Sequence, residues 1–176
     1  MTVWDIPEVL QWEQALFPLD AWPPEFYQSE LSQSGPDGQL GLDGRPVTRD
    51  YRVVVRDELD DDGSDPELRR LQPGEIVGYG GIMVAGDIAD VQTIGTAPSA
   101  QGRGIGAAQL RWMIREATQR RAEALMLEVR ATNAPAQRLY ARHAFAHIHT
   151  RRGYYPGGED AWIMRRPLAA ESASEH

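Results

Sequence analysis

The chain has 176 residues and a mass of 19.6 kDa, and its 41% hydrophobic content and mean hydropathy of -0.48 suit one globular domain with an ordinary core. It contains no cysteine, and all 18 of its basic residues are arginine, which excludes disulfides, thiolate nucleophiles and lysine Schiff bases. No apolar run approaches the roughly 20 residues that a membrane span needs, and the first residues lack the basic start and apolar middle of a signal peptide. We therefore expect a cytoplasmic protein with no membrane partner.

The net charge of -8 is divided unevenly along the chain. Residues 1–101 carry 6 arginines against 19 acidic residues, a net -13, whereas residues 102–176 carry 12 arginines against 7 acidic residues, a net +5. Nucleic-acid surfaces need clustered positive charge, so this balance argues against a nucleic-acid partner. The basic second half suits an anionic ligand, and the acidic first half faces solvent or a cationic partner. The four histidines do not fall at metal-ligand spacing, so we predict no metal site.

The first half of the chain predicts two helices followed by two strands. A helix over Ile6–Leu16 is broken by the prolines that follow, and a second helix begins at Pro23 and Pro24, since proline is tolerated in a first turn. Residues 32–46 predict a loop, and β-branched content predicts strands over 51–56 and 75–84. The connection 57–74 holds seven carboxylates between 57 and 67, and such a run is more often a solvated loop than a binding site.

The second half alternates strands and helices. A strand over 89–96 precedes a helix after Gly104 whose apolar residues recur at helical spacing, with a polar side opposite them. The apolar residues are Leu110, Met113, Ile114 and Ala117, and the polar side holds Gln109, Arg111, Arg115, Gln119 and Arg120. The mostly apolar run 124–129 predicts a strand covered on both faces and interrupted by Glu128. Asn133 is the predicted cap of a further helix.

The last segments predict two strands and a tail. Strands over 145–150 and 161–165 flank a loop over 151–160. His147 and His149 alternate with Ile148, so we expect both histidines on one face of their strand, as surface or packing residues. Residues 169–176 are small and polar and predict a frayed tail after a single domain over 1–168.

A glycine-rich loop joins the predicted strand 89–96 to the helix after it: Gly102, Arg103, Gly104, Ile105, Gly106 and Ala107. Backbone N–H groups and the dipole at a helix start, with the charge of Arg103, suit a pyrophosphate. The same residues fit the G-x-G-x-x-A pattern of a dinucleotide fold, with Glu128 placed to hold a ribose. Against that alternative, residues 97–101 separate the strand from the glycines, and too little chain follows for a doubly wound sheet. A glycine turn without a ligand is the third alternative.

The spacing Gln101-x-x-Gly104-x-Gly106 after a strand is the acyl-CoA pyrophosphate signature of the GNAT N-acetyltransferases, and the chain resembles that superfamily over about 6–168. Three further segments make the resemblance more specific, for its ribosomal-protein alanine N-acetyltransferase (RimI) branch. They are Leu-Glu-Val-Arg-Ala-Thr-Asn-Ala-Pro-Ala at 127–136, Leu139-Tyr140, and Arg151-Arg152 through Tyr154-Tyr155-Pro156 to Asp160-Ala161 and Met164.

The resemblance implies a mixed α/β fold. Its central, mostly antiparallel sheet would be splayed between strands 89–96 and 124–129, with helices on both faces and the pantetheine arm of acetyl-CoA in the splay. Backbone groups of Ile94, Gly95 and Thr96 would meet the pantetheine amides, and Asn133 would contact the cofactor beyond the second strand. The pyrophosphate would be held by Gln101, Gly102, Arg103, Gly104, Ile105, Gly106 and Ala107.

The resemblance also implies Glu128 as the general base and Tyr140 as the general acid. An α-amine has a pKa near ~8, and a carboxylate at the rim of an apolar strand, its pKa raised by desolvation, could take that proton directly or through a water. The neutral amine would attack the thioester, the backbone around Ile94 and Gly95 would stabilise the oxyanion, and Tyr140 would protonate the leaving thiolate. Without the family pattern, a tyrosine at this position on an apolar helix face is interpreted as core.

The acceptor side is predicted from aromatic residues. Tyr154 and Tyr155 either cap the last hairpin or, as in the resembling family, close over an acceptor peptide, and Trp22 and Phe26 are predicted to line the acceptor side opposite Tyr155. Two positions depart from the family pattern. Ala144 replaces the usual glycine before Phe145, which costs roughly 1 kcal/mol if the position stays left-handed, and we expect a local shift there. Gly95 and Thr96 replace a commoner small-apolar pair, which leaves backbone contacts intact and alters the acyl pocket slightly.

The predicted function is therefore transfer of the acetyl group of acetyl-CoA to the N-terminal α-amine of a protein, most specifically a ribosomal protein with a small first residue. The acidic first half of the chain would attract a basic substrate terminus. Two alternatives stay open from the sequence. The acceptor could be a small amine or a lysine side chain, or the protein could be a binding module that senses acyl-CoA without turnover.

Overall fold

The computed structural model of the protein describes residues 1–36, 38–41, 44–56 and 74–168, and these contain four α-helices and six β-strands. The helices are α1 (Ile6–Leu16), α2 (Pro24–Ser32), α3 (Ile105–Gln119) and α4 (Ala134–Arg142). The strands are β1 (Arg49–Val55), β2 (Ile76–Ala85), β3 (Ile88–Thr96), β4 (Ala124–Arg130), β5 (Ala146–Tyr155) and β6 (Glu159–Pro167). The predicted order of elements is confirmed, whereas the acidic run 57–73 and the tail 169–176 lie outside the described residues. None of the described helices is long and apolar enough to cross a membrane.

The six strands form one mixed sheet in the order β1-β2-β3-β4-β6-β5. β3 and β4 run parallel, with a register from Ile88↔Ala124 to Asp90↔Met126, whereas β6 is antiparallel to both β4 and β5. This mostly antiparallel sheet with four helices confirms the predicted mixed α/β class. The splay of the sheet stays a prediction.

The described residues fall into two compact units, 1–81 with 93–109 and 82–92 with 110–168. The single domain over 1–168 therefore also stays a prediction. In the first unit, α1, α2 and the strands β1 and β2 share one buried cluster, formed by Ile6, Val9, Tyr27, Tyr51, Ile76 and Tyr79. Buried tyrosine hydroxyls need hydrogen-bond partners, and here they donate to the carboxylates of Glu13 and Glu30.

In the second unit, α3 and β4 each contribute four buried apolar side chains. α3 buries Leu110, Met113 and Ala117, as the helical spacing predicts. One face of β4 is buried throughout, whereas the other opens from the buried Ala124 to the exposed Glu128. The prediction of a strand covered on both faces is therefore wrong at its carboxyl end, where the sheet presents a carboxylate to solvent.

The last hairpin is longer than predicted. β5 continues to Tyr155 and β6 begins at Glu159, so the predicted loop 151–160 shrinks to three residues. A bulge in β5 puts His147 opposite Met164 and His149 opposite Ile163. Because neighbouring residues of β6 point to opposite faces, the two histidines also lie on opposite faces, and the prediction of a shared face is wrong.

Ala144 keeps the left-handed conformation that the family glycine would adopt, with a φ of 62°. Two hydrogen bonds close the end of α4 around it, from Phe145 N to Tyr140 O and from Ala144 N to Ala141 O. This is the Schellman pattern, in which the residue after the cap is normally glycine. The left-handed geometry on which the strain depends is present at Ala144, and the strain and the local shift stay predictions.

Candidate active site

The end of β3 is fixed by its neighbour β2. Ala97 N donates to Val77 O over 2.9 Å, and since every second residue of a strand faces the same neighbour, Gly95 also faces β2. The carbonyl of Gly95 additionally accepts a 3.0 Å hydrogen bond from Gln109 Nε2. The backbone of Gly95 is therefore already engaged, and among the three residues predicted to meet pantetheine, Ile94 and Thr96 turn their backbone groups to the other edge of the strand.

Gln109 corrects the predicted polar side of α3. Its side chain is only 4% exposed, and it bonds the Gly95 carbonyl and the Thr96 hydroxyl. Gly78 leaves room for it, because a Cβ at that position would lie 3.0 Å from Gln109 Nε2. Met113 and Ala117 lie four and eight residues after Gln109 on the same side of α3, so the helical spacing of the sequence already indicated that Gln109 is buried.

The glycine loop has the conformation that a phosphate cradle needs. Gly102 and Gly104 have φ values of 79° and 82°, which side chains with a Cβ rarely adopt, and residues 101–104 are exposed. α3 starts immediately afterwards, so its first N–H groups lack partners inside the helix. The side-chain amide of Gln101 donates to the Thr96 carbonyl over 3.3 Å, and the role of Gln101 in holding a pyrophosphate stays a prediction.

Glu128 lies on the open face of β4 and is paired with Arg151. The guanidinium Nη1 is 2.5 Å from Glu128 Oε1, and the two side chains are 52% and 33% exposed. The Tyr154 hydroxyl also donates to Glu128, and this bond, with partial burial and the charge of Glu128, raises the pKa of Tyr154. The expected desolvation of Glu128 is therefore wrong, because the carboxylate is solvated and hydrogen-bonded.

Asp90 is a second carboxylate near Glu128 that we did not predict. It occupies the last paired position of β3, opposite Met126, two residues before Glu128 on the same face of the parallel ladder. Burial raises the pKa of Asp90 above its ordinary value of 3.8, and the charge of Glu128 raises it further. The sequence could have indicated Asp90 as a candidate site residue, because it is a carboxylate within a predicted strand, as Glu128 is.

Tyr140 is buried in α4, as its place on the apolar helix face predicts. Its side chain is 6% exposed, and its ring lies 6.0 Å from that of Phe145. Burial raises the pKa of the Tyr140 hydroxyl above its usual range, with a smaller contribution from Tyr155. The hydroxyl therefore stays protonated at any physiological pH.

Tyr155 lies beside a charged cluster at the end of β4. The Arg130 guanidinium stands 4.1 Å from the Tyr155 ring centroid and pairs with Glu159 at 2.7 Å. Glu159 also accepts hydrogen bonds from the Thr132 hydroxyl and backbone, and these bonds, with that from Arg130, lower its pKa. The two tyrosines therefore have separate partners, Tyr154 on Glu128 and Tyr155 on Arg130.

Asn133 caps α4 as predicted. Its side-chain oxygen accepts from Ala136 N at 3.2 Å, and Pro135 occupies the first turn. The side-chain oxygen is thus used by the helix, and the predicted contact with a cofactor stays a prediction.

Trp22 and Phe26 pack together in the first unit. Their ring centroids are 4.4 Å apart, and Phe26 is 41% exposed. Trp22 N donates to the buried carboxylate of Glu13. The sequence also carried a signal for Glu13, which continues the apolar row of Ile6 and Val9 on α1.

Comparison with known proteins decides the family. The acetyltransferase (GNAT) family matches residues 6–145 of this chain. The chain belongs to the GNAT family. It is accordingly an acetyltransferase.

Relatives of this GNAT acetyltransferase include N-terminal acetyltransferases. The ribosomal protein bS18-alanine N-acetyltransferase of Escherichia coli strain K12 is 39% identical over 101 residues, which cover 56% of this chain and 68% of that protein. The N-alpha-acetyltransferase RimI of Mycobacterium tuberculosis is 42% identical over 98 residues, 53% of this chain and 60% of that protein. The crystal structure of the ribosomal-protein-S18-alanine N-acetyltransferase from Escherichia coli matches 100% of this chain and 96% of its own, with a TM-score of 0.71 and 26% identity. The resemblance to the RimI branch is confirmed.

GNAT acetyltransferases take their acetyl group from acetyl-CoA. The residues of this GNAT acetyltransferase fit that co-substrate. The left-handed Gly102 and Gly104 expose backbone at the start of the 15-residue α3, where free N–H groups and the helix dipole attract a pyrophosphate. Within the described parts of the chain, no group of three or more His, Cys, Asp or Glu side chains could hold a metal ion.

Proposed function

We propose that this GNAT acetyltransferase transfers the acetyl group of acetyl-CoA to the N-terminal α-amine of a protein. The relatives named as alanine N-acetyltransferases support an α-amine acceptor and, more specifically, a ribosomal protein with a small first residue. The net -13 charge of residues 1–101 supports a basic acceptor segment. The observation that carries the proposal is the solvated Glu128 on the open face of β4, held by Arg151 and Tyr154.

The first unit takes acetyl-CoA in this proposal. The loop of Gln101, Gly102, Arg103, Gly104, Ile105, Gly106 and Ala107 holds the pyrophosphate, and Asn133 is the further cofactor contact that the family resemblance implies. The backbone of Ile94 and Thr96, on the edge of β3 that faces away from β2, takes the pantetheine arm. Because Gln109 fixes the carbonyl of Gly95, the planar Gly95–Thr96 peptide directs the Thr96 N–H to the opposite edge, where it can donate to the thioester oxygen.

Glu128 acts as the general base. The acceptor arrives as an ammonium ion, competes with Arg151 for the carboxylate and gives its proton to Glu128 directly or through a water. The resulting amine attacks the thioester carbonyl carbon, a C–N bond forms and the C–S bond breaks. The second proton that the nitrogen loses replaces the one that Tyr140 gives to the thiolate, and Glu128 releases its proton to water. Since a free α-amine has a pKa near ~8, a solvated carboxylate with an open path to water is sufficient for this proton transfer. No covalent enzyme intermediate is needed.

Tyr140 acts as the general acid. Its buried hydroxyl is protonated at working pH, so it can donate a hydrogen bond to the leaving thiolate and deliver the proton that the thiol keeps. Tyr154 and Tyr155, beside Glu128 and Arg130, contact the acceptor peptide in this proposal, and Trp22 and Phe26 are also proposed as acceptor contacts.

The decisive experiment is an acetylation assay with a panel of peptides that differ in the first residue. Each peptide is offered with a free and with a blocked N-terminus, and the modified nitrogen is located by mass spectrometry. We expect acetylation of the free α-amine only, with a small first residue preferred. Modification of lysine in blocked peptides, or of small amines alone, would replace the proposed acceptor, and acetyl-CoA binding without any transfer would support a sensor.

A further inference from the structure

A buried carboxylate outside the proposed catalytic groups organises the first unit. Glu13 is 2% exposed, and its Oε2 accepts hydrogen bonds from the hydroxyls of Tyr27 at 2.9 Å and Tyr79 at 2.5 Å. Its Oε1 accepts from Trp22 N at 3.3 Å. Burying a carboxylate is unfavourable unless several donors satisfy it, and Glu13 has three donors from three different parts of the fold. Removing Tyr79 would leave Oε2 of this buried carboxylate with the Tyr27 hydroxyl as its remaining donor.

The Tyr79 ring lies directly against Gly95. A Cβ built on Gly95 would be 2.4 Å from Tyr79 Cε1, 2.5 Å from Cζ and 2.7 Å from the hydroxyl. These distances are far below any van der Waals contact, so the ring occupies the space that a side chain at position 95 would need. Tyr79 has no exposed surface, and burial raises its pKa above the usual range, so its hydroxyl remains a donor to Glu13.

Gly95 is held on its other face as well. Gln109 fixes its carbonyl, and the Val77–Ala97 hydrogen bond sets the register that puts Tyr79 opposite Gly95. The ring cannot turn away from Gly95 without breaking its bond to Glu13, and the backbone of Gly95 cannot move without breaking its bond to Gln109. The spacing between ring and strand is therefore fixed from both sides.

We propose that Tyr79 limits the length of the acyl group, and that Glu13 is the positioning residue that holds the Tyr79 ring in place beside Gly95. This inference rests on the proposed function, which puts the thioester at the backbone of residues 94–96. In this proposal the acetyl group ends beside the ring, whereas a propionyl or butyryl group that extends over Gly95 would require the space that the ring fills. A ring fixed by a buried hydrogen bond excludes longer acyl groups more strictly than a mobile side chain would.

The chain contains a matched control for this arrangement. Tyr51 packs against Gly81 in the same way, since a Cβ on Gly81 would lie 2.1 Å from Tyr51 Cε1, and its hydroxyl donates to the buried carboxylate of Glu30 at 2.9 Å. Tyr51 is 2% exposed, but neither it nor Gly81 belongs to the segment that takes the thioester. Shortening Tyr51 should therefore damage the core comparably without changing the choice of acyl group.

The test measures binding of acetyl-CoA, propionyl-CoA and butyryl-CoA by isothermal titration calorimetry, which needs no acceptor. Wild type, Tyr79→Leu, Tyr79→Phe and Tyr51→Leu are compared as full-length proteins. We expect Tyr79→Leu to shift the affinity ratio of butyryl-CoA to acetyl-CoA at least tenfold towards butyryl-CoA. Tyr79→Phe keeps the ring but loses the hydrogen bond to Glu13, so it should shift the ratio by less. Tyr51→Leu should leave the ratio unchanged. If Tyr79→Leu does not fold, the double variant Glu13→Leu/Tyr79→Leu takes its place, because it also removes the buried carboxylate that has lost one of its three donors.

The outcomes separate this inference from the function on which it rests. An unchanged ratio in folded Tyr79→Leu, or an equal shift in Tyr51→Leu, overturns the acyl-length role and leaves the acetyl-CoA site standing. Failure of the wild type to bind any acyl-CoA overturns the proposed function, and the inference with it.

Discussion

Arg151 donates a 2.5 Å hydrogen bond to Glu128, and in the proposed mechanism this ion pair is the state that the acceptor amine meets. Both side chains are partly exposed, so the pair adds little to stability and is weakened by salt. An ammonium ion can therefore displace the guanidinium at small cost. In the proposed mechanism the same contact keeps the Glu128 carboxylate oriented until the acceptor arrives.

Replacement of Glu128 by glutamine should reduce kcat by roughly 10²–10⁴, because the amide cannot accept a proton. The KM for acetyl-CoA should stay within a few-fold of the wild-type value. Steady-state kinetics with an acetylated-peptide readout measures both, and Glu123→Gln, at an exposed position before β4, is the control. Wild-type turnover in the Glu128 variant would remove Glu128 from the mechanism.

Replacement of Arg151 by glutamine should preserve kcat and lower the peptide KM by about two- to fivefold, since the acceptor no longer competes with a guanidinium. The effect should shrink as salt is raised. Arg152→Gln changes the neighbouring exposed arginine and controls for net charge. A loss of activity that is specific to Arg151→Gln would mean that the guanidinium itself contacts the acceptor.

Replacement of Tyr140 by phenylalanine should lower kcat by roughly 10² or more while leaving the fold intact, because only the hydroxyl is lost. The loss should be smaller with a thioester whose thiol is more acidic, since a better leaving group needs less help from an acid. Tyr51→Phe removes a buried hydroxyl elsewhere and serves as the control. Equal losses with both leaving groups would speak against proton donation by Tyr140.

Replacement of Ala144 by glycine should stabilise the protein by about 1 kcal/mol, because glycine adopts a φ of 62° without strain. The expected rise in Tm is about 2–4 °C, measured by thermal unfolding. Arg121 has the same φ of 62° after α3, and Arg121→Gly should act in the same direction. Ala141→Gly, in the last turns of α4, should instead destabilise by up to about 1 kcal/mol. A Tm that falls in Ala144→Gly would show that the strain is compensated elsewhere.

Glu13 should make stability depend on pH. Burial raises the pKa of Glu13 above its ordinary value of 4.5, and the hydrogen bonds from Tyr79 and Tyr27 only partly oppose this. The folded state thus binds the proton more tightly than the unfolded state, so the contribution of Glu13 is fully present below pH 4.5 and is lost as pH rises through the raised pKa. The slope inside that window is at most about 1.4 kcal/mol per pH unit. Urea unfolding between pH 4 and 8 should show this decline in the wild type and a flatter profile in Glu13→Gln, and parallel profiles would contradict the assignment.

Elements that follow from local pattern were predictable. Proline at a helix start, β-branched runs and the cap at Asn133 act over a few residues. The helices α1, α2 and α4 and the succession of strands along the chain could therefore be derived from the sequence. The same is true of the left-handed conformation of Ala144, since the end of α4 needs a left-handed residue whatever packs around it. The glycine-rich loop was predictable for the same reason, because its backbone angles at positions 102 and 104 require glycine whatever packs around them.

Side-chain environments needed the fold. Gln109 lies on an apolar row of α3. Only the tertiary structure brings Gly78 and Gly95 against it, so that its side chain is buried and donates to the Gly95 carbonyl. The bulge that separates His147 from His149 depends on how β5 pairs with β6, which leaves no trace in the alternation of residues.

The sequence alone determined the family of this protein, its glycine-rich loop and the order of its elements, because those depend on short-range backbone requirements and on side chains at fixed spacing. The tertiary structure decided how each carboxylate is used. Glu128 and Glu13 both interrupt apolar patterns, yet one lies in solvent beside Arg151 and the other is buried among three donors. The physical reason is that desolvation and hydrogen bonding are properties of what packs around a residue from distant parts of the chain, and no local pattern encodes them.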